Sequence, residues 1–200
     1  MPKTNTPALL EMIDRLISTP SVSCVSADLD SSNLPVIEAL ANWLQALGFN
    51  TEIQRLNNPN KANLIASSGS GPGGLVLSGH TDTVPCDHSL WSCEPFQLTQ
   101  KDNRLYGLGT ADMKSFLAFA IKAASQFDCR QFQQPLIILA TADEETSMAG
   151  AKAIAESGYP KARFAVIGEP TGLKPVRAHK GMMMEAIRLT GQSGHSSNPA

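Results

Sequence analysis

Six residues with metal-binding or proton-transferring side chains stand beside turns or at the ends of apolar runs. They are His80, Asp82, Asp112, Glu144, Glu145 and Glu169. Imidazole nitrogens and carboxylate oxygens bind divalent cations, and a carboxylate can also accept a proton from water. This combination of residue types predicts a metal centre that carries out hydrolysis.

Each of these residues also has an ordinary structural explanation when it is taken alone. A single histidine after a strand is more often a hydrogen-bonded loop residue than a metal ligand. Asp112 could cap the N-terminus of a helix, and Glu144 with Glu145 could form an acidic first turn, while Glu169 could be a surface residue. However, grouping so many carboxylates raises their pKa values unless a cation is present. A metal site is therefore the simpler explanation of the whole set.

The ligand types narrow the choice of metal. Imidazole and carboxylates without a thiolate suit zinc, and also cobalt or manganese. Two ions are expected, because a carboxylate such as Asp112 can bridge ions about 3.5–4 Å apart. Asp82 can accept a hydrogen bond from the second ring nitrogen of His80. The side chains of Glu144 and Glu145 must diverge, so one can bind metal and the other can accept a proton; the residue types leave open which does which.

Three apolar runs predict the strands that position these residues. Leu75–Leu77, Leu136–Ala140 and Phe164–Ile167 lack alternation, which is typical of strands buried on both faces. Helical patterns over Met113–Ala124 and Met148–Ser157 lie between them. This order predicts an α/β fold with a largely parallel sheet covered by helices. Ligands bind at the carboxyl ends of the strands in such sheets, which is where the candidate residues stand.

The pattern of the chain changes near Pro175. Glu185–Thr190 alternates polar and apolar residues, which is typical of a strand with one face in water. We therefore expect a catalytic metal-binding domain over residues 1–175 and the first strand of a second, truncated domain over residues 176–200.

Composition excludes several classes of protein. The 200 residues include 16 Lys and Arg against 18 Asp and Glu, so the net charge of −2 gives no basic surface for nucleic acid or an anionic membrane. No apolar run approaches the about 20 residues that cross a bilayer. The cysteines at positions 24, 86, 93 and 129 form no CxxC pair, and the N-terminus lacks the apolar core of a signal peptide. We expect a soluble, cytoplasmic protein with free thiols, no nucleic-acid partner and no membrane partner.

Four motifs, in this order, resemble those of the di-zinc aminoacylase/carboxypeptidase superfamily. They are Gly79–Pro85 (GHTDTVP), Gly107–Lys114 (GLGTADMK), Ala142–Glu145 (ADEE) and Ile167–Thr171 (IGEPT). The resemblance covers the whole chain and implies a zinc-exopeptidase-like catalytic domain followed by the start of an α+β lid or dimerisation domain.

Two further stretches narrow the resemblance within that superfamily. Ala140–Gly150 (ATADEETSMAG) and Pro175–Gly181 (PVRAHKG) are most similar to the acetylornithine deacetylases of arginine biosynthesis. The succinyl-diaminopimelate desuccinylases are the nearest alternative, and another aminoacylase or dipeptidase is a further one. The implied substrate is thus a small N-acyl amino acid, and the implied reaction is hydrolysis of its amide, for acetylornithine deacetylases that of N2-acetylornithine to ornithine and acetate.

The resemblance also implies metal ligands. His80, Asp112 and Glu169 would bind one zinc ion. Asp112 would bridge to a second zinc ion, which Glu145 would also bind, and cobalt could replace zinc.

Three further residues receive catalytic roles by the same resemblance. Asp82 would orient His80, and Glu144 would be the general base that carries a proton from water to the leaving amine. His195, in the stretch Gly191–Ser197, would help to stabilise the negative oxygen of the reacting amide from the second domain.

Full-length members of the superfamily form homodimers and supply a final histidine to the second zinc ion late in the chain. None of the four histidines here matches that position. We therefore expect the 200-residue chain by itself to have an impaired second metal site, and a non-catalytic metal-binding fragment is the alternative from another functional class.

Overall fold

The computed structural model describes residues 6–178, 180, 181, 185, 187–191, 194 and 197, and only the backbone of Arg130. A five-stranded sheet is formed by β1 (Asn50–Arg55), β2 (Ala62–Ser68), β3 (Leu75–His80), β6 (Leu136–Thr141) and β7 (Phe164–Ile167), and a separate hairpin by β4 (Thr99–Lys101) and β5 (Arg104–Tyr106). The α-helices are α1 (Leu9–Ile17), α2 (Leu34–Ala46), α3 (Lys114–Ala124) and α4 (Ala149–Ser157), with short 3-10 helices at His88–Leu90 and Cys129–Gln131. Among the described residues no helix is both long and apolar enough to cross a membrane.

The large sheet has the strand order β1-β2-β6-β3-β7. β3 runs parallel to both β6 and β7, whereas β2 runs antiparallel to β6 and to β1. All strands except β2 therefore point the same way, which confirms the expected sheet of mostly parallel strands flanked by helices. The carboxyl ends of β3, β6 and β7 consequently meet at one edge.

Apolar side chains cover both faces of the central strands. Leu64 and Ile138 pack with α1, α2 and α3 on one face, while Ile65 and Ile137 pack on the other face, where Ile154 of α4 covers them. Successive residues of a strand point to opposite faces, so a continuous apolar run is needed where both faces are buried. The prediction of burial on both faces is thus confirmed for Leu136–Ala140.

The same prediction is wrong for Phe164–Ile167. The exposed fractions of Phe164, Val166 and Ile167 in β7 are 59%, 49% and 63%. In the described part of the chain β7 pairs only with β3 and forms the edge of the sheet. An apolar run predicts a strand, but the burial of that strand depends on neighbours that the run itself does not specify.

The described residues up to Pro170 form one compact unit, and those from Thr171 onward group separately. Of the predicted strand Glu185–Thr190, residues 185 and 187–190 are not in a strand, and Ala186 lies outside the described residues. A strand needs a hydrogen-bonded neighbour, and the described residues after Pro170 contain no second strand that could pair with it.

Candidate metal centre

His80 is the last residue of β3, and only 2% of its side chain is exposed. Its Nε2 atom lies 3.1 Å from Oδ1 of Asp112 and 4.0 Å from Oε1 of Glu169. Its Nδ1 atom lies 3.0 Å from the main-chain oxygen of Asp82 and 3.5 Å from Oδ1 of the same residue. One ring nitrogen therefore faces Asp82, and the other faces two acidic side chains. The main-chain carbonyl of Asp82 lies closer to Nδ1 than its carboxylate does, although the carboxylate was the predicted partner.

Asp82 is fully buried and connects the end of β3 to the loop after β6. Between these strand ends, the main-chain N–H of Thr81 donates to the carbonyl of Thr141 over 2.9 Å. One residue further on, Oδ2 of Asp82 accepts a hydrogen bond from the main-chain N–H of Glu145 at 3.0 Å. A single carboxylate thus contacts both the His80 ring and the loop that carries Glu145.

Asp112 comes from the glycine-rich turn that follows the β4–β5 hairpin. Gly109 in this turn has φ +90°, and a Cβ there would lie 2.9 Å from Cδ of Lys114, so both its backbone conformation and its surroundings favour glycine. The N-cap of α3 is Met113, so Asp112 does not cap the helix. Its half-exposed side chain reaches the His80 ring instead.

Lys114, the last residue of this motif, is buried and contacts the segment that follows α1. Its Nζ atom donates to the main-chain oxygen of Thr19 at 2.8 Å and to Oγ of Ser21 at 3.0 Å. Burial lowers the pKa of Lys114 to about 7, while the charge of Asp82 acts in the opposite direction. The start of α3 is therefore attached to the segment that follows α1.

Glu144 and Glu145 lie in the loop between β6 and α4. This loop begins with Asp143 in the left-handed conformation at φ 57°, and Met148 at its other end has φ 55°. The main-chain N–H of Met148 donates to the carbonyl of Asp143 at 2.7 Å and closes the loop. Because α4 begins only after Met148, the two glutamates are not the first turn of a helix. One carboxylate oxygen from each glutamate and one ring nitrogen of His80 lie within 4.8 Å of one another.

Glu169 follows β7 at the same edge of the sheet. The main-chain N–H of Gly168 donates to the carbonyl of Ser78 at 3.1 Å, which continues the β3–β7 pairing up to Glu169. The ring of Phe116 from α3 occupies the space that a Cβ on Gly168 would need. Glycine at this position thus allows α3 to pack directly against the end of β7.

The charges around His80 perturb its protonation. Burial by itself lowers the pKa of His80, but the hydrogen bond and charge of Asp82, then Asp112 and Glu169, raise it overall to about 9. Burial by itself raises the pKa of Asp82, but hydrogen bonds from His80 and from the N–H of Glu145 lower it below its ordinary value. The imidazole and the Asp82 carboxylate therefore stabilise each other in their charged forms.

The other carboxylates of the site repel one another. Burial raises the pKa values of Glu145 and Glu169, and the nearby charge of Asp112 raises both further, against the opposing effect of His80. These carboxylates belong to three different loops and crowd around one imidazole. A cation at this point would relieve their repulsion.

The donor atoms fit a divalent metal ion. One group consists of His80, Asp112 and Glu169, whose ligand atoms all lie within 4.8 Å of one another, and a second group consists of His80, Glu144 and Glu145. One imidazole nitrogen with carboxylate oxygens is a donor set suited to zinc, cobalt or manganese. The structure thus contains a possible metal site at the predicted edge of the sheet.

The structure brings together six of the seven residues predicted for the site, namely His80, Asp82, Asp112, Glu144, Glu145 and Glu169. The seventh, His195, lies outside the described residues. The individual roles of all seven stay predictions.

Residues 76–191, more than half of the chain, match the family model of peptidase family M20/M25/M40. The chain belongs to this family. The match confirms the resemblance inferred from the four motifs, and the matched range contains every predicted site residue up to Glu169. Membership of a metallopeptidase family also implies a metal cofactor.

Curated relatives of this M20/M25/M40 protein share more than half of its residues. It is 56% identical to the acetylornithine deacetylase of Proteus mirabilis (strain HI4320) over 194 residues, which are 96% of this chain and 50% of that relative. It is 55% identical to the acetylornithine deacetylase of Klebsiella pneumoniae (strain 342) over 199 residues, 99% of this chain and 52% of the relative. The chain thus spans about half the length of the curated relatives it matches.

Solved structures show a similar fold. The M20 family metallo-carboxypeptidase Sso-CP2 from Sulfolobus solfataricus superposes with a TM-score of 0.68 at 20% sequence identity, over 82% of this chain and 37% of that one. At this identity the similarity concerns the fold alone.

Two buried lysines of this M20/M25/M40 family member were not predicted from the sequence. Lys61 and Lys114 are each 1% exposed. The only sequence signal for Lys61 is a charged residue directly before an apolar strand, which is also typical of an exposed strand end. For Lys114 the signal was its place in the motif Gly107–Lys114, which was interpreted only for Asp112.

Proposed function

We propose that this M20/M25/M40 protein hydrolyses the N-acetyl amide of N2-acetylornithine to ornithine and acetate, the step that acetylornithine deacetylases contribute to arginine biosynthesis. The observation that carries the hydrolytic part is the convergence of His80, Asp112 and Glu169, with ligand atoms within 4.8 Å of one another. The substrate is proposed from the 53–56% identity to curated acetylornithine deacetylases.

The proposed cofactor is a pair of zinc ions, with cobalt as a substitute. His80, Asp112 and Glu169 would hold one ion, and Asp112 with Glu145 would hold the other. When bound, the metal supplies Lewis-acid polarisation of the amide carbonyl and lowers the pKa of water. Asp82 would keep Nδ1 of His80 engaged, so that Nε2 stays available as the ligand.

Glu144 is the proposed general base. It would take a proton from water as the water oxygen bonds to the carbonyl carbon, and would pass the proton to the amide nitrogen as the C–N bond breaks. Its position beside His80 and Glu145 supports this assignment. We propose His195 as the residue that stabilises the negative oxygen, on the resemblance alone.

The remaining features of the whole protein are proposals from the resemblance and the composition. They are a catalytic domain over residues 1–175, a lid or dimerisation domain that begins at residue 176, a homodimer, and a cytoplasmic location.

Replacing Glu144 by Gln in the full-length protein tests the mechanism. The amide keeps the shape of the side chain but cannot accept the proton, so we expect kcat to fall by about 10²- to 10⁴-fold with the metal content unchanged. Glu156→Gln, the same substitution on the exposed side of α4, is the matched control and should behave as the wild type. Turnover near the wild-type level in Glu144→Gln would show that the assigned base is wrong.

Substrate comparison tests the reaction. We expect N2-acetylornithine to be hydrolysed faster than N-succinyl-diaminopimelate, and a chelator to abolish turnover until zinc or cobalt is added back. A preference for the succinyl substrate would refute the proposed acyl group, and turnover that survives complete removal of metal would refute the metal-dependent mechanism.

A further inference from the structure

Lys61 is a buried cation that the proposed mechanism does not use. It directly precedes β2, and 1% of its side chain is exposed. Its Nζ atom lies 2.7 Å from Oδ1 of Asp30 and 3.1 Å from Oδ1 of Asp143, and it donates to the main-chain oxygen of Val22 at 3.3 Å. The ammonium group thus has three acceptors from two other segments of the chain.

One of these partners begins the loop that carries the proposed base. Asp143 immediately precedes Glu144 and has φ 57°, a conformation that residues other than glycine rarely adopt. Its Oδ1 atom also accepts a hydrogen bond from Oγ of Ser23 at 3.0 Å. Ser23 and Thr146 share a further hydrogen bond of 2.7 Å, so the segment after α1 contacts both ends of the Asp143–Thr146 loop.

This loop is therefore held on both sides of Glu144. On one side Lys61 and Ser23 hold the Asp143 carboxylate, and on the other Oδ2 of Asp82 accepts the N–H of Glu145. Glu144 lies between these two points of attachment. Without Lys61 the Asp143 carboxylate, whose side chain is 13% exposed, would lose its cation and would gain by turning towards water. Such a rotation would change the backbone that positions Glu144 and Glu145.

We propose that Lys61 is a positioning residue for the metal centre, which acts through its ion pair with Asp143 to hold Glu144 and Glu145 in place. This inference rests on the proposed function in one respect, namely that these two glutamates serve the metal site. Lys61 touches neither a proposed ligand nor the proposed base, so its effect is transmitted by the loop. Residues that contact metal ligands directly change metal affinity or activity by about 10- to 100-fold when they are replaced, and we expect an effect of the same order when the loop that carries both glutamates loses its ion pair.

The second ion pair of Lys61 supplies a matched control. Asp30 contacts the same Nζ atom, but it lies in the segment after α1 and, unlike Asp143, is not next to a predicted site residue in the chain. If Lys61 only stabilised the fold, Asp30→Asn and Asp143→Asn would lower the free energy of unfolding and leave the metal site unchanged. If Lys61 positions the loop, Asp143→Asn should weaken metal binding and Asp30→Asn should not.

The test measures binding of Co²⁺ to the full-length protein by the visible absorption of the bound ion, together with unfolding by urea. We expect Lys61→Met and Asp143→Asn each to weaken Co²⁺ binding by about 10- to 100-fold and to alter the absorption spectrum. Asp30→Asn should retain the wild-type spectrum and affinity. The double variant Lys61→Met/Asp143→Asn should bind no more weakly than the weaker single variant, because both substitutions remove one interaction.

Three outcomes would overturn the proposal: unchanged Co²⁺ binding in Asp143→Asn, equal losses in Asp30→Asn and Asp143→Asn, or additive losses in the double variant. If Lys61→Met does not fold, the comparison of the two asparagine variants still decides between the alternatives. A further expected result is a lower kcat with little change in KM for Asp143→Asn. Because Co²⁺ binding needs no substrate, failure of the proposed acetylornithine reaction would be seen in the wild type and is distinguishable from failure of this proposal.

Discussion

In the metal-free protein, His80 should keep a proton well above neutral pH. Burial alone favours the neutral ring, but Asp82 outweighs that effect by hydrogen bonding and charge, and Asp112 and Glu169 add to it. The resulting pKa is about 9, compared with the ordinary value of 6.5. Metal binding requires the neutral ring, so the protonated imidazole competes with the cation for the same carboxylates.

The size of this effect follows from the two pKa values. At about 1.4 kcal/mol for each unit of pKa, the difference corresponds to about 3 kcal/mol of stabilisation by the charged ring. Because the pKa is higher in the folded state, this stabilisation is fully present below pH 6.5 and is lost as the pH rises through 9. Lys114 acts in the opposite sense, since its lowered pKa makes the folded state gain stability above about pH 7.

NMR of the histidine rings, recorded in a chelator from about pH 6 to about pH 10, measures the His80 pKa directly. Asp82→Asn is the informative variant, because it removes the largest contribution that raises this pKa and leaves an oxygen to accept the N–H of Glu145. We expect a midpoint near 9 in the wild type and a clearly lower midpoint in Asp82→Asn.

Urea unfolding gives a second readout of the same effect. The difference in unfolding free energy between wild type and Asp82→Asn should shrink as the pH rises from 6.5 to 9, by up to about 3 kcal/mol from His80. Lys114 should change the difference in the same direction, because the charge of Asp82 raises its pKa as well. A wild-type midpoint near 6.5, or the same midpoint in both proteins, would refute the electrostatic reasoning.

Two packing predictions concern the supports of the site. Gly168→Ala would force a Cβ into the Phe116 ring, so we expect a loss of about 1–3 kcal/mol in unfolding free energy and weaker Co²⁺ binding. The control Gly181→Ala, whose added Cβ has no atom of a described residue within 4 Å, should change neither. Asn33→Ala would remove hydrogen bonds of 2.8 Å and 3.0 Å with the main chain of Ala62. Urea unfolding should show a loss of about 2 kcal/mol or more in unfolding free energy. A loss below about 0.5 kcal/mol would show that these two hydrogen bonds do not stabilise the fold.

The sequence predicted the location of the site because strand direction and residue type are both local properties. Apolar runs before His80, Glu144 and Glu169 indicated three strands, and right-handed crossovers between parallel strands bring their carboxyl ends to one edge. Asp112 was predicted from the glycine-rich turn alone, and its N-cap alternative is excluded because α3 begins after Met113.

Other features depend on neighbours and were not accessible in this way. Phe164–Ile167 forms an exposed edge strand, although its composition equals that of a buried one. Glu185–Thr190 has the alternation of a strand, but among the described residues it has no strand beside it. In both cases the sequence pattern shows that the segment can form a strand, and the neighbouring strands determine whether it does so and whether it is buried.

The same distinction explains why the sequence pattern indicates Glu144 and Glu145 but not Lys61. A metal ligand is recognisable from its own side chain, because only a few residue types bind divalent cations. The burial of Lys61 depends on Asp30, 31 residues before it, and on Asp143, which follows it in the chain only after the five strands β2 to β6. A buried ammonium is stable only where such carboxylates meet it, so its burial requires that these distant segments be in place together. In this protein, therefore, the geometry of the Glu144–Glu145 loop is coupled to the Lys61–Asp143 ion pair, and substitutions of these two residues should affect the metal centre although neither is a proposed ligand.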